Sequence, residues 1–210
     1  NNIMSSKVSD YWEFYGYKTR RLQCESILES LLNTNLPDKI NVIETGSSSN
    51  FLDGSIGIFL GLISLKTGGK MWSVDNNPTV VDNSINIFKD VIPELEYSCV
   101  LGDSVEFLKN FDESVNIVHL DSWDFNLFDP LPSALHGWRE FESIKDKLTT
   151  GALIAIDDNY INGTYLQWNF HSGEVSGKTI DVPILGKGAH VYQWVTNQSQ
   201  DWELIGDHYN

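Results

Sequence analysis

Asp121, Asp157, Asp158 and Asn159 could between them hold a hard cation. Residues 119–125 read His-Leu-Asp-Ser-Trp-Asp-Phe, and residues 154–160 read Ile-Ala-Ile-Asp-Asp-Asn-Tyr. Each run reads as a short apolar strand that ends in carboxylates. If the two strands are neighbours in a parallel sheet, those carboxylates converge and repel one another. A divalent cation with oxygen ligands resolves the repulsion. Mg²⁺ suits the donor set best, with Mn²⁺ and Ca²⁺ as alternatives. The competing reading is that Asp157-Asp158-Asn159 only turns the chain.

A second set of residues could bind an adenosine-bearing ligand. The first strand ends in Glu44-Thr45-Gly46-Ser47-Ser48-Ser49. A glycine at this place lets the backbone approach a ligand closely. The second and third glycines of a pyrophosphate-binding loop are missing, and Glu44 would repel a pyrophosphate. It would suit the ammonium of a methionine moiety, with Ser55 at the next helix N-terminus for the carboxylate. About 30 residues on, roughly one βαβ unit, Asp75-Asn76 follows the second strand, where an acidic side chain can accept both ribose hydroxyls. After the third strand, Asp103-Ser104 could bond an adenine amino group, and Asp103 is equally a good helix N-cap.

The elements that must position these residues follow from hydrophobic periodicity. Strands are expected at residues 40–43, 71–74, 97–101, 115–120 and 152–156. Helices are expected at 55–65, 78–90, 103–110 and 133–148. The alternation implies a parallel sheet with crossover helices and all strand C-termini along one edge. Residues 190–196 and 202–207 read as two strands of a terminal hairpin, and residues 160–187 as a loop-rich insertion. Residues 1–36 form a helical N-terminal segment, with Leu22, Cys24, Ile27, Leu28 and Leu31 on one face, and residues 37–210 form the main domain.

Across 210 residues the formal net charge is -15, which disfavours a nucleic-acid partner. Apolar residues make up 41 % and aromatics 12 %, a globular composition. No run of about 18 apolar residues suggests a membrane span. Cys24 and Cys99 form no CxxC pair, so a disulfide framework and a zinc site are not expected, and a reducing, cytoplasmic setting is. The start at Asn1-Asn2, with Met4 close behind, is compatible with one domain of a larger polypeptide.

The ordered motifs Glu-Thr-Gly-Ser-Ser-Ser, Val-Asp-Asn-Asn, Gly-Asp-Ser, His-Leu-Asp-Ser-Trp-Asp-Phe and Ile-Asp-Asp-Asn-Tyr resemble a class I S-adenosylmethionine (SAM)-dependent methyltransferase over most of residues 39–160. Within that class, the aspartates after strands four and five, with Leu148-x-x-Gly151 between them, resemble the macrocin and mycinamicin-type sugar O-methyltransferases. The resemblance implies an α/β Rossmann-like fold, a mostly parallel seven-stranded sheet with a C-terminal antiparallel hairpin. It also implies SAM bound by Glu44, Thr45, Gly46, Ser47, Ser48, Ser55, Asp75, Asn76, Asp103, Ser104 and Asp121. A divalent metal, Mg²⁺ first, would sit on Asp121, Asp157, Asp158 and Asn159. The acceptor would be a small molecule or glycan, with a hydroxyl of a 6-deoxyhexose such as rhamnose as the implied target.

Asp124 is the expected general base, with His136 as its alternate. The sugar enzymes carry the second aspartate two residues after the first, whereas Trp123 moves it to three here. Catechol-type O-methyltransferases, whose ligands would match Asp121, Asp158 and Asn159, carry a lysine three residues after the first ligand; here that position is Asp124. A phenol acceptor and a non-catalytic SAM-binding module stay open as alternatives. His119 reads as a core histidine. Trp12, Tyr15, Tyr160 and Trp168 are candidates to stack on an acceptor.

Overall fold

The structure, a computed structural model, describes residues 24, 37–49, 55–126, 128–168 and 175–205, with backbone alone at Ser55 and residues 160–184. Five parallel strands form the central sheet: β1 (Val42–Thr45), β2 (Lys70–Asp75), β3 (Glu96–Leu101), β4 (Ile117–Leu120) and β5 (Leu153–Ile156), in the order β3-β2-β1-β4-β5. Between them run α1 (Ser55–Lys66), α2 (Pro78–Val91), α3 (Ser104–Asn110) and α4 (Leu131–Ile144). α2 starts at Pro78, a residue preset for a first helical turn, behind Asn77, whose side chain accepts from the Thr79 and Val80 amides. Asp103 caps α3 through the Glu106 amide at 2.9 Å.

Alternate strand residues go to opposite faces, and the core divides accordingly. Val42, Met71 and Ile117 pack with Ile56, Phe59, Leu60 and Ile63 of α1, with Phe88 of α2, and with Cys24. Ile43, Val118 and Leu120 pack with Leu108 of α3 and Phe141 and Ile144 of α4. The middle of the sheet is thus covered on both faces, which suits the continuously buried β1 and β4, while β3 at the edge is largely exposed.

The chain beyond β5 departs from the sequence expectation. Residues 190–196 lie in a helix, α5 (Ala189–Asn197), not a strand. Val191, Trp194 and Val195 recur at helical spacing and pack on the cluster that holds Phe141 and Ile144. Residues 202–205 are irregular, and Trp202 meets Phe141 edge-on at 5.4 Å. The antiparallel pair is instead made of β6 (Asn159–Trp168) and β7 (Val175–Gly186), within the expected loop-rich insertion, and forms its own two-stranded sheet. Among the described residues the main sheet therefore has five strands, not seven. No helix of the described residues is long and apolar enough to cross a membrane. The N-terminal helical segment lies outside the described residues except for Cys24, which is helical and buried.

Candidate functional site

The strand order reverses between β1 and β4, so a crevice opens beyond their C-terminal ends, the usual ligand position in such sheets. Gly46 forms its floor. Its φ is +76°, and a Cβ there would lie 2.3 Å from the Asp121 carbonyl oxygen, so only glycine lets the β1 loop lie on the β4 exit. The Asp121 amide donates to the Thr45 carbonyl at 3.0 Å and to Thr45 Oγ1 at 3.2 Å, which closes the same contact.

Asp75 ties this loop to the next crossover. Its carboxylate accepts from the Ser47 amide at 3.0 Å and the Asn77 amide at 2.9 Å. Asn76 and Asp103 are exposed at the rim, and Ser104 is buried. Ser55 opens α1, and its side chain lies outside the description.

Glu44 is placed differently from the expectation. It is 2 % exposed and faces α1 beneath the crevice, accepting from Ser48 Oγ at 2.9 Å and from His119 Nδ1 at 3.0 Å. A Cβ at Gly57 would collide with this carboxylate. Burial works against a charge on His119, but the bond to Glu44 and the fields of Asp121, Glu44 and Asp157 outweigh it and lift its pKa to about 9. Glu44 and His119 therefore form a buried ion pair that supports the cradle from below, and Glu44 is not free for a ligand ammonium.

The exits of β4 and β5 converge as expected. Trp123 and Asp158, the two non-glycine residues at positive φ among those described, lie on these two exits, at 69° and 52°. Such left-handed backbone is uncommon outside glycine and collects at functional sites. The carboxylates do not meet an open ligand set, however. The Lys187 ammonium lies 2.7 Å from Asp121 Oδ1 and 2.9 Å from Asp158 Oδ2, with its side chain 4 % exposed. Burial opposes the charge on Lys187, yet the two aspartates prevail and hold its pKa above the ordinary lysine value.

Asn159 is likewise committed. Its Nδ2 donates to the Ile156 and Asp157 carbonyls, and its Oδ1 accepts from the Gly188 amide at 2.7 Å. Asp157 is buried and accepts from the Asp158 amide at 2.9 Å. His119, Asp121 and Asp157 each bring one ligand atom within 4.8 Å of the others, the one such group among the described residues. A metal there would have to take a ring nitrogen of a histidine whose raised pKa favours the protonated form, and compete with Lys187 for Asp121. The expected divalent site thus does not fit the residues as they are arranged, because a tethered ammonium already compensates the carboxylates.

Lys187 was absent from the residues singled out in the sequence. So were Ser122 and Glu140, which join the expected residues Ser104 and His136 in a polar network. Ser122 Oγ donates to the buried carboxylate of Glu140, and His136 Nε2 lies 2.8 Å from Ser122 Oγ and 3.0 Å from Ser104 Oγ. The network joins the β4 exit to the start of α3 and to α4. Trp123, 57 % exposed, lies over the His136 ring at 5.1 Å. Asp124 is exposed on the same loop and makes no hydrogen bond or ion pair with a described residue. Tyr160 and Trp168 belong to β6 with side chains outside the description, and Trp12 and Tyr15 lie outside the described residues altogether.

No family model and no curated protein matches the sequence. Solved structures do. An S-adenosylhomocysteine (SAH)-bound methyltransferase from Podospora anserina is similar at 13 % identity and a TM-score of 0.51, over 73 % of this chain and 62 % of that one. A Clostridium thermocellum protein assigned as an rRNA methylase is similar at 13 % identity and a TM-score of 0.52, over 85 % of this chain and 80 % of that one. The chain thus spans about three-fifths of the Podospora protein's length. The likeness is one of fold: this chain has the Rossmann-like α/β fold of class I methyltransferases.

Proposed function

We propose that this chain is a SAM-dependent methyltransferase that methylates a hydroxyl of a small-molecule or glycan acceptor. The observation that carries the reading is the crevice where strand order reverses. There Gly46 lies against the Asp121 backbone, with Asp75 and Asp103-Ser104 following in turn at the exits of β2 and β3. In this reading Asp75 would accept the ribose hydroxyls, and the Asp103-Ser104 corner would meet the adenine amino group. Two observations speak against a dinucleotide: one glycine in place of three, and a rim of carboxylates. A formal net charge of -15 speaks against a nucleic-acid acceptor.

The chemistry asked of the protein is modest. The acceptor oxygen attacks the sulfonium methyl carbon, the carbon–sulfur bond breaks with its electron pair staying on sulfur, and the acceptor proton must leave. In-line positioning supplies much of the rate. Asp124, exposed and without a partner among the described residues, is the group best able to take the proton. His136, bonded to Ser104 and Ser122, orients the loop that carries Asp124 and is the alternate base. The exposed indole of Trp123 beside this rim favours an acceptor with one apolar face and several hydroxyls, as in a 6-deoxyhexose such as rhamnose.

Incubation with methyl-labelled SAM and a panel of deoxyhexosides, catechols and hydroxycinnamoyl thioesters tests the proposal. Label in a sugar methyl ether supports it. Label only in a phenol transfers the assignment to the phenol class. Tight cofactor binding with no labelled product from any acceptor class points to a binding module.

A further inference from the structure

Three glycines clamp the backbone around Lys187. A Cβ on Gly137 of α4 would lie 2.3 Å from the Lys187 carbonyl oxygen. One on Gly186, at φ +139°, would lie 2.1 Å from the Asp158 carbonyl oxygen, and one on Gly188 would lie 2.9 Å from Asn159 Oδ1. The Lys187 amide also faces the Asp158 carbonyl at 3.4 Å, and the Gly188 amide donates to Asn159. The return of β7 is therefore pressed against the β5 exit and α4, and the lysine stem is led inward from there. Its ammonium ends between Asp121 and Asp158, which belong to different strand exits. A bridging divalent ion would need oxygens at about 2.1 Å for Mg²⁺ or somewhat farther for Ca²⁺. It would also need that same space, and it would meet a fixed positive charge there.

We infer that Lys187 is the resident cation of this rim, holding Asp121 and Asp158 together where a divalent ion would otherwise bridge them, so that the site works without a bound metal. Lys187 is a positioning residue. It is buried behind the carboxylates and acts by fixing the β4 and β5 exits relative to each other. The absence of a metal from methyl transfer rests on the function proposed above. The occupation of the cation place does not, and it is measurable without cofactor or acceptor.

The test titrates Mn²⁺ into the full chain, followed by electron paramagnetic resonance and calorimetry. Wild type is expected to show no saturable site below about 1 mM, the weak end for built carboxylate sites. Lys187→Ala is expected to gain a single site at least about tenfold tighter than this limit, and Asp121→Asn in that background should remove it. If Lys187→Ala does not fold, Lys187→Met keeps the apolar stem and should gain the same site, whereas Lys187→Arg keeps the charge and should not. A stoichiometric Mn²⁺ site in wild type would overturn the inference. So would a folded Ala or Met variant that gains none. With an accepted substrate, turnover should be unchanged by chelator; a loss restored by Mg²⁺ would overturn the metal-free reading while leaving methyl transfer itself intact.

Discussion

Glu44 and His119 face each other in register across β1 and β4, Oε2 to Nδ1 at 3.0 Å, both almost fully buried. The pair couples stability to pH. His119 titrates at about 9 in the fold, against an ordinary value of 6.5. A raised folded pKa contributes stability that is fully present below about 6.5 and lost as pH rises through about 9. The contribution is on the order of 3 kcal/mol. In urea unfolding, wild type should exceed His119→Gln by roughly that amount at neutral pH, and the gap should narrow by pH 9.5. A gap that stays constant over this range would mean that His119 is neutral in the fold.

Gly46 should tolerate no side chain. Its left-handed backbone alone disfavours alanine by about 1–2 kcal/mol, and the contact with Asp121 adds to this. Gly46→Ala should unfold at lower urea and bind SAH at least about tenfold more weakly. Unchanged affinity in a folded variant would detach this loop from cofactor binding.

Asp124 and His136 separate by kinetics. Asp124→Asn should lower kcat by about a hundredfold or more, within the usual range for a general base, with SAH affinity unchanged. His136→Asn should have the smaller effect on kcat. The reverse order would move the base role to His136. Ser122→Ala tests the network between them. It leaves the Glu140 carboxylate buried without its hydroxyl donor, at a cost of about 1–3 kcal/mol in unfolding free energy.

Trp123 should act on acceptor binding. Trp123→Ala is expected to raise the acceptor KM by about tenfold, the order of one stacked ring, with kcat little changed. An equal fall in kcat with KM constant would give the indole a role in the transition state instead.

Much of the main domain was legible because its signals are local. Short apolar strands alternate with helices, and the exits of β4 and β5 end in aspartates that Lys187 bridges. Two local signals misled. Residues 190–196 are rich in β-branched and aromatic side chains, but Val191, Trp194 and Val195 carry a helical period. The glycines from Gly163 to Gly188 suggested a loop, although Gly186 and Gly188 in fact admit the close return of β7. What the sequence hid was long-range. Lys187 is 66 residues from Asp121, and no spacing rule joins them. The cue was a lone lysine between two glycines just ahead of a helix. The partner of Glu44 was hidden likewise: the strand order that sets it opposite His119 was not readable from either motif.

The crevice between β1 and β4 is the proposed seat of SAM's adenosine and amino-acid ends. Calorimetric titration of the full chain with SAH tests it most directly, with NAD⁺ as the comparison. One SAH should bind per chain in the roughly micromolar range, NAD⁺ should give no heat, and Gly46→Val should abolish the SAH signal. No heat with SAH, or saturable binding of NAD⁺ in its place, would contradict the account.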